Sequence, residues 1–350
     1  MLRRWIVLVV PFVAACGSKS QGNADSAATD AGVSEASVWD GSGSETGADD
    51  GRARDGGRRD GRADQGGPAS AWKNMKAKAS STILDLWGVD ANTIFAVGKD
   101  GMILFYDGKD WTEQSSGIQA HLKGVWASSK TEAYAVGEGI ILKYDGTQWA
   151  EDYKSTYSSD FRAVFGLGNE VIAVGGAGTI RARSGTSTYW SYQTSGTSKD
   201  LHAVWGASAS ELFVVGADAT ILNRPSGTTW TAAKTTLKSD LHSVWGLSGT
   251  EVYATGLDGL VARYDGKSWT DMNTGSTSYF YGVWGSSASD LFVVGHPMFK
   301  GDESVFHYDG KSWSKVPPST PTYFNAVWGL SATEVFAAAN TGIFQYVGKP

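Results

Sequence analysis

The chain repeats itself seven times at a spacing near forty residues. The clearest mark is an apolar residue, an aromatic and a small residue in sequence. It reads Leu86-Trp87-Gly88, Val125-Trp126-Ala127, Val164-Phe165-Gly166, Val204-Trp205-Gly206, Val244-Trp245-Gly246, Val283-Trp284-Gly285 and Val327-Trp328-Gly329. The gaps between the aromatic positions are 39, 39, 40, 40, 39 and 44 residues. A unit this short cannot bury an apolar core alone and must stack on its neighbours. What all seven units share is therefore architecture, and what breaks the pattern is a candidate site.

Each unit resolves into four short strands. In residues 241 to 273 the first is Leu241-His242-Ser243-Val244-Trp245, stopped by Gly246 and a turn. The second is Glu251-Val252-Tyr253-Ala254-Thr255, and the third is Leu260-Val261-Ala262-Arg263-Tyr264. Asp265-Gly266 then makes a hairpin turn into a fourth strand beginning at Lys267-Ser268-Trp269. The Asp-Gly step recurs as Asp107-Gly108, Asp145-Gly146 and Asp309-Gly310, with Ser184-Gly185, Ser226-Gly227 and Val347-Gly348 in its place elsewhere. No long stretch has helical periodicity, and 45 glycines with 12% aromatics suit many strands joined by tight turns.

Seven such units predict an all-β fold, a seven-bladed β-propeller of four-stranded blades over residues 70–350. A second tryptophan slot, in the fourth strands, holds Trp111, Trp149, Trp190, Trp230, Trp269 and Trp313. The seventh unit ends without one, and the missing residue stands before the first unit, at Trp72. The N-terminal strand is therefore expected to close the last blade and remove the open edge of a linear stack. The repeat aromatics, Trp87, Trp126, Phe165, Trp205, Trp245, Trp284 and Trp328 included, are read as packing between blades and not as ligand platforms.

The YDGxxW hairpins and VWG strands resemble the repeat propellers of secreted bacterial proteins, loosely grouped with Asp-box (BNR-like) and photosystem-assembly-factor-like propellers. The Asp-box order is Ser-x-Asp-x-Gly-x-x-Trp, and Asp265-Gly266-Lys267-Ser268-Trp269 is one residue shorter. Trp-Gly stands where WD40 repeats end in Trp-Asp. Some Asp-box propellers are sialidases, with three arginines around a carboxylate and a Tyr-Glu pair. The propeller arginines here are Arg162, Arg181, Arg183, Arg224 and Arg263, at unequal repeat positions, and form no assignable triad.

The N-terminus reads separately. Arg3 and Arg4 precede an apolar run from Trp5 to Ala15 that is too short to span a bilayer as a helix. Val13-Ala14-Ala15-Cys16 resembles the lipobox of bacterial lipoproteins, which implies a signal peptide over residues 1–15 and acylation of Cys16. Gly17, in place of Asp, then implies the outer membrane, with the periplasmic or surface face left open. An ordinary signal peptide cut nearby is the alternative. Cys16 is the only cysteine, so the mature domain has no disulfide, thiol nucleophile or cysteine-based metal site. Residues 17 to 69 hold ten acids and six bases and almost no aromatics. Residues 16–69 are expected to be a disordered linker, roughly 40 Å in root-mean-square span.

In a propeller the first strand of each blade lines the central channel. Three residues before the aromatic, the units show Leu84, Lys123, Arg162, His202, His242, Tyr281 and Asn325. The residue before is apolar, and the one after is mostly small: Asp85, Gly124, Ala163, Ala203, Ser243, Gly282 and Ala326. A variable, mainly polar position between constrained ones should face the channel mouth. Asp160, Asp200 and Asp240 lie just upstream and could orient Arg162, His202 and His242. The sixth unit also has a long loop, His296-Pro297-Met298-Phe299-Lys300-Gly301-Asp302-Glu303, expected on the same face. The candidate ligand-binding residues are thus Lys123, Arg162, His202, His242, Tyr281, Asn325, His296, Asp302 and Glu303. The competing view is a set of solvated channel-end side chains that satisfy one another.

The leading expectation is an envelope-anchored lipoprotein that presents a propeller as a binding module for protein or glycan. A rim with aromatics such as Tyr157, Tyr279, Tyr281 and Phe299 would favour binding. An extracellular glycosidase or lyase is the rival, with carboxylates drawn from Asp302, Glu303 and Asp240. A third reading is a non-enzymatic assembly or scaffolding factor. No catalytic residue, cofactor or metal is assigned: His202, His242 and His296 come from separate units without metal-site spacing, and no Gly-x-Ser-x-Gly elbow is present. With 22 bases and 26 acids over residues 70 to 350 and no basic stripe, nucleic acid is not an expected partner. The closed ring is expected to be a monomer, held to the membrane by its N-terminal lipid.

Overall fold

A computed structural model describes residues 71–155, 159–299, 302–320, 322–340 and 342–348. Cys16, the signal peptide, the linker to Ala69 and Tyr157 lie outside the described residues. The strands form seven four-stranded antiparallel sheets, the blades of a propeller. In blades one to six the strands follow chain order from the channel outward. The inner strands are Ile83–Asp90, Leu122–Ser129, Phe161–Leu167, Leu201–Ser208, Leu241–Ser248, Tyr279–Ser287 and Phe324–Ser331. Helical structure among the described residues is limited to two single turns, Lys99–Gly101 and Gly176–Gly178.

The seventh blade is closed as the tryptophan count requires. Its outer strand is Trp72–Asn74, paired antiparallel with Gly342–Tyr346, with Trp72 opposite Tyr346 and Asn74 opposite Phe344. Trp72 is buried against Phe292, Phe324 and Tyr346, and its indole N–H donates to the Val316 carbonyl of blade six at 2.9 Å. Both chain ends of the domain are thereby spent on one sheet, and no linear edge remains there.

The Trp-Gly step is a contact between blades. The ring of Trp126 lies against Gly166, that of Trp205 against Gly246, and that of Trp284 against Gly329. Trp328 meets Gly88 in the same way, carrying the stack across the closure; a methyl group on Gly88 would fall 2.2 Å from the Trp328 ring. Glycine is thus demanded by the flat ring next door. Blade two carries Ala127, and there the Trp87 N–H donates to the Ala127 carbonyl at 3.1 Å while its ring meets the edge of Phe165 at 5.9 Å.

The outer tryptophans follow a second rule. Where the residue three places after one carries a side-chain acceptor, it serves the tryptophan of the next blade. Gln114 accepts from Trp149 at 2.8 Å, Asp152 from Trp190 at 2.7 Å and Gln193 from Trp230 at 2.8 Å. The equivalents Met75, Ala233 and Met272 have no side-chain acceptor, and the buried indole nitrogens of Trp111, Trp269 and Trp313 find no partner. At the hairpins, each Asp of Asp-Gly accepts two backbone N–H groups, as Asp265 does from Lys267 at 2.9 Å and Ser268 at 2.8 Å. The following Gly266 sits at φ +88, where glycine bears no penalty.

Two substitutions test the acceptor rule. Gln114→Ala should destabilise the domain by ~1–3 kcal/mol by orphaning Trp149, and Ala233→Gln should stabilise it by ~1 kcal/mol by serving Trp269. Urea midpoints unchanged from wild type in both would refute the rule. Trp72→Ala should cost ~3–5 kcal/mol if the closing strand holds the ring, read from the same denaturation curves.

Candidate functional site at the channel mouth

The variable position owes its placement to a backbone defect repeated in every blade. Between the inner strand and its neighbour the register slips by one residue, and the residue left over is Leu84, Lys123, Arg162, His202, His242, Tyr281 or Asn325. A bulged residue has no cross-strand partner, and its side chain is re-aimed by the local kink. Here all seven line one central cavity of about 540 Å³, joined by His296. The cavity floor is apolar, formed by Val125, Val164, Val204, Val244 and Val283 with Trp87, Phe165, Trp205, Trp245, Trp284 and Trp328.

The ring has two halves of different chemistry. On one side Lys123 Nζ lies 2.6 Å from Asp160 Oδ1. Arg162 bridges two carboxylates, with Nε 3.3 Å from Asp160 and a terminal nitrogen 2.8 Å from Asp200. Asp200 also accepts the Ala177 N–H at 2.9 Å; this bond, followed by Arg162, lowers its pKa. Asp240 accepts the Asp218 N–H of the preceding blade at 2.8 Å. Ala177 and Asp218 both have positive φ, so these aspartates also cap strained turns between the second and third strands. The upstream carboxylates orient Arg162 directly, whereas no hydrogen bond joins them to His202 or His242.

The other half is aromatic. The rings of His202 and His242 stack at 5.0 Å, His242 and Tyr281 lie 4.8 Å apart, Tyr281 and His296 4.5 Å, and His296 meets the edge of Tyr323 at 5.2 Å. His202 Nδ1 donates to the Leu241 carbonyl at 2.8 Å when it carries the proton. His296 Nε2 bonds Asn325 Oδ1 at 2.9 Å, and the Asn325 amide donates to Ile83 carbonyl at 2.6 Å and Asn340 Oδ1 at 3.0 Å. Burial depresses all three histidines, His242 to about 4, with His202 beside it adding to the effect. They are neutral at pH 7. His242 Nε2 is buried and has no hydrogen-bond partner.

Two residues singled out in the sequence are not brought to the cavity. Asp302 Oδ2 accepts the Phe299 N–H at 3.0 Å and the Thr277 hydroxyl at 2.9 Å, and the Glu303 carbonyl accepts the Ser278 hydroxyl at 2.9 Å. These bonds tie the long loop to the strand approach of its own blade and away from the channel lining. Phe299 of that loop is 63% exposed, and Lys300 and Gly301 lie outside the described residues. Tyr279 pairs with His296 in the sheet and does not line the cavity. Asp302, Glu303 and Asp240 therefore do not form a carboxylate pair facing the channel. Among the described residues no three His, Cys, Asp or Glu side chains gather as a metal site.

The sequence reading missed Asp85, Tyr323 and Asn340. Asp85 is a carboxyl on the channel wall, where its Oδ2 accepts the Val125 N–H at 2.9 Å. Burial pushes it up to about 7, against the Val125 and Leu86 amides. Its signal was visible: it is the lone charge at a repeat position otherwise held by Gly, Ala or Ser.

No protein-family model matches this chain, and no curated protein matches it in sequence. Solved structures share its fold. YCF48 bound to D1 peptide superposes with a TM-score of 0.66 at 18% identity, covering 81% of this chain and 97% of that one. YCF48 from Cyanidioschyzon merolae gives 0.64 at 15%, covering 79% and 99%. The WD40 β-propeller domain of Doa1 gives 0.58 at 14%, covering 76% and 92%. The likeness is one of architecture, the β-propeller.

The two titrating sets act on stability in opposite senses. Below pH 6.5 the unfolded chain protonates its histidines while His202, His242 and His296 resist, so stability falls as the pH drops from 6.5 toward 4. For Asp85 the unfolded chain ionises first, so its contribution falls as the pH rises from about 4 to 7. Asp85→Asn should therefore stabilise the domain by roughly 1–2 kcal/mol at pH 8, a figure discounted for channel water, with the gain vanishing near pH 4. Thermal melts of both proteins across that range check the sign.

Proposed function

We propose that the chain is a lipid-anchored envelope protein that uses the mouth of its propeller channel to bind a segment of a partner protein. The carrying observation is the convergence of seven bulged side chains on one cavity, three of them neutral rings that continue into His296 as an arc of ring contacts. Rings of this kind offer broad, rigid contact area at little conformational cost. The cations of the other half are already paired, which suits a ligand of mixed polarity better than a bare anion. A propeller of matching shape solved with a peptide bound, YCF48 with D1 peptide, supports the same use of the fold. The lipobox-like Val13-Ala14-Ala15-Cys16 supports the anchor, and the Gly-rich stretch to Ala69 supports a tether that holds the domain clear of the membrane.

Against a glycosidase stands the placement of Asp302 and Glu303, held through the Asp302 carboxylate and the Glu303 carbonyl to their own loop and to Thr277 and Ser278 of their own blade. The single carboxyl lining the cavity among the described residues is Asp85.

The triple variant Arg162→Ala, His202→Ala, His242→Ala tests the site. Captured on the intact chain from envelope extract, the bound proteins should fall at least about tenfold relative to wild type, a loss of one hot-spot cluster. An unchanged set, with melting curves showing the variant folded, would remove the mouth from the function. Cys16→Ser should abolish labelling by an alkyne fatty acid and release the protein from membranes; a labelled, membrane-bound variant would end the anchoring proposal.

A further inference from the structure

One carboxyl in the channel meets a backbone amide of the next blade and no side chain of the ring. Asp85 stands where five of the other six inner strands carry Gly or Ala. Its Oδ2 accepts a backbone amide, Val125 N–H, and no cationic, hydroxyl or amide side chain reaches it among the described residues. The other six inner strands close without a carboxyl at this position, so the repeat itself does not require this backbone bond.

The surroundings define what would complete it. The Asp85 strand packs on Thr93–Gly98, which bears no charge, and on the blade-seven inner strand, whose channel residue is Asn325. The second strand of blade seven brings Glu334, which lies at the far hairpin opposite Ser331. Asp90, on the Asp85 strand itself, lies at its hairpin end opposite Thr93. Blade two brings Lys123, engaged by Asp160, and Arg162 beyond it is held by two aspartates. The remaining titratable groups on the cavity, His202, His242, Tyr281 and His296, are neutral at pH 7. A cation from outside thus meets Lys123 and Arg162 only as groups already neutralised by Asp160 and Asp200. The walls near Asp85 are Leu86, Val125 and Trp87, which suit methylene groups. Asp85 sits one residue below the ring, so its ligand must be slender and reach inward.

We propose that Asp85 is the counter-ion for a primary ammonium on an alkyl arm, the lysine side chain of the bound segment, inserted through the channel mouth. This rests on the reading of that mouth as a peptide site. It gives the site a selectivity that the ring alone does not: a lysine-bearing segment over its neutral isostere. A charge-assisted bond in a cavity with an apolar floor is stronger than its counterpart in water.

The experiment uses the intact chain and four probes: the capped pentapeptide Ac-Gly-Gly-Lys-Gly-Gly-NH₂, its norleucine and Nε-acetyl-lysine counterparts, and the norleucine peptide with a free N-terminus. Binding is followed by calorimetry at pH 8 and pH 5.5. The lysine peptide should bind about tenfold or more tightly than the capped norleucine peptide at pH 8. That preference should shrink at pH 5.5, where Asp85 is protonated, and acetylation should abolish it. In Asp85→Asn the preference should vanish at both pH values, which separates Asp85 from protonation of the histidines across the cavity. Equal binding of the lysine and norleucine peptides by wild type, or a preference that survives in Asp85→Asn, overturns the proposal. A free N-terminus that equals the lysine peptide overturns the side-chain assignment. If the norleucine peptide binds without a lysine preference, only this inference fails; if no peptide binds, the peptide reading of the mouth fails with it.

Discussion

The contact on which the rest depends is the tryptophan of one inner strand lying flat on the glycine of the next. It sets how closely inner strands approach at four of the seven junctions, Trp126 on Gly166, Trp205 on Gly246, Trp284 on Gly329 and, across the closure, Trp328 on Gly88. Contacts that recur at equivalent positions hold the blades at similar angles and keep the channel open at a set width. The bulges at the opposite end of the inner strands then fall on a common circle. Without that spacing, Lys123 and Arg162 would not share Asp160, and His202 would not stack on His242.

The site follows from a division of labour within five residues of chain. The aromatic, the apolar residue before it and the small residue after it are constrained by neighbouring blades. The bulged residue has no cross-strand partner and contributes nothing to the ladder, so it is free to vary. Function can be written into that position blade by blade at little cost to the fold. Here the result is asymmetric: Lys123 and Arg162 are neutralised by Asp160 and Asp200, the second of which also caps a turn, while the facing arc is uncharged and aromatic. The mouth therefore has little net charge, and Asp85 below it is the group whose charge the protein leaves unanswered.

Sequence and structure differ where a feature depends on anchoring and not on pattern. The length of the loop after Gly295 suggested that Asp302 and Glu303 belonged to the mouth. Loop length says nothing about hydrogen bonds, and Thr277 and Ser278 hold those residues to their own blade. Asp85 was passed over among small residues because a one-residue exception in seven reads as noise until the cavity shows what it faces. Tyr323 and Asn340 carry no repeat signal; they matter because they touch His296 and Asn325.

The sequence by itself determined the wheel: the number of blades, four strands in each, and the borrowing of Trp72 to finish the last. Periodic patterns encode such features because every unit meets the same neighbours and must satisfy the same steric and hydrogen-bonding demands. It also marked the variable position as the one free of those demands. Only the tertiary structure decided which carboxylate meets which cation, that His202 and His242 stack and are neutral, and that one acid in the channel has no cationic partner among the described residues. Those properties arise between side chains some forty residues apart, where distance and burial, which no local pattern records, set charge and partner.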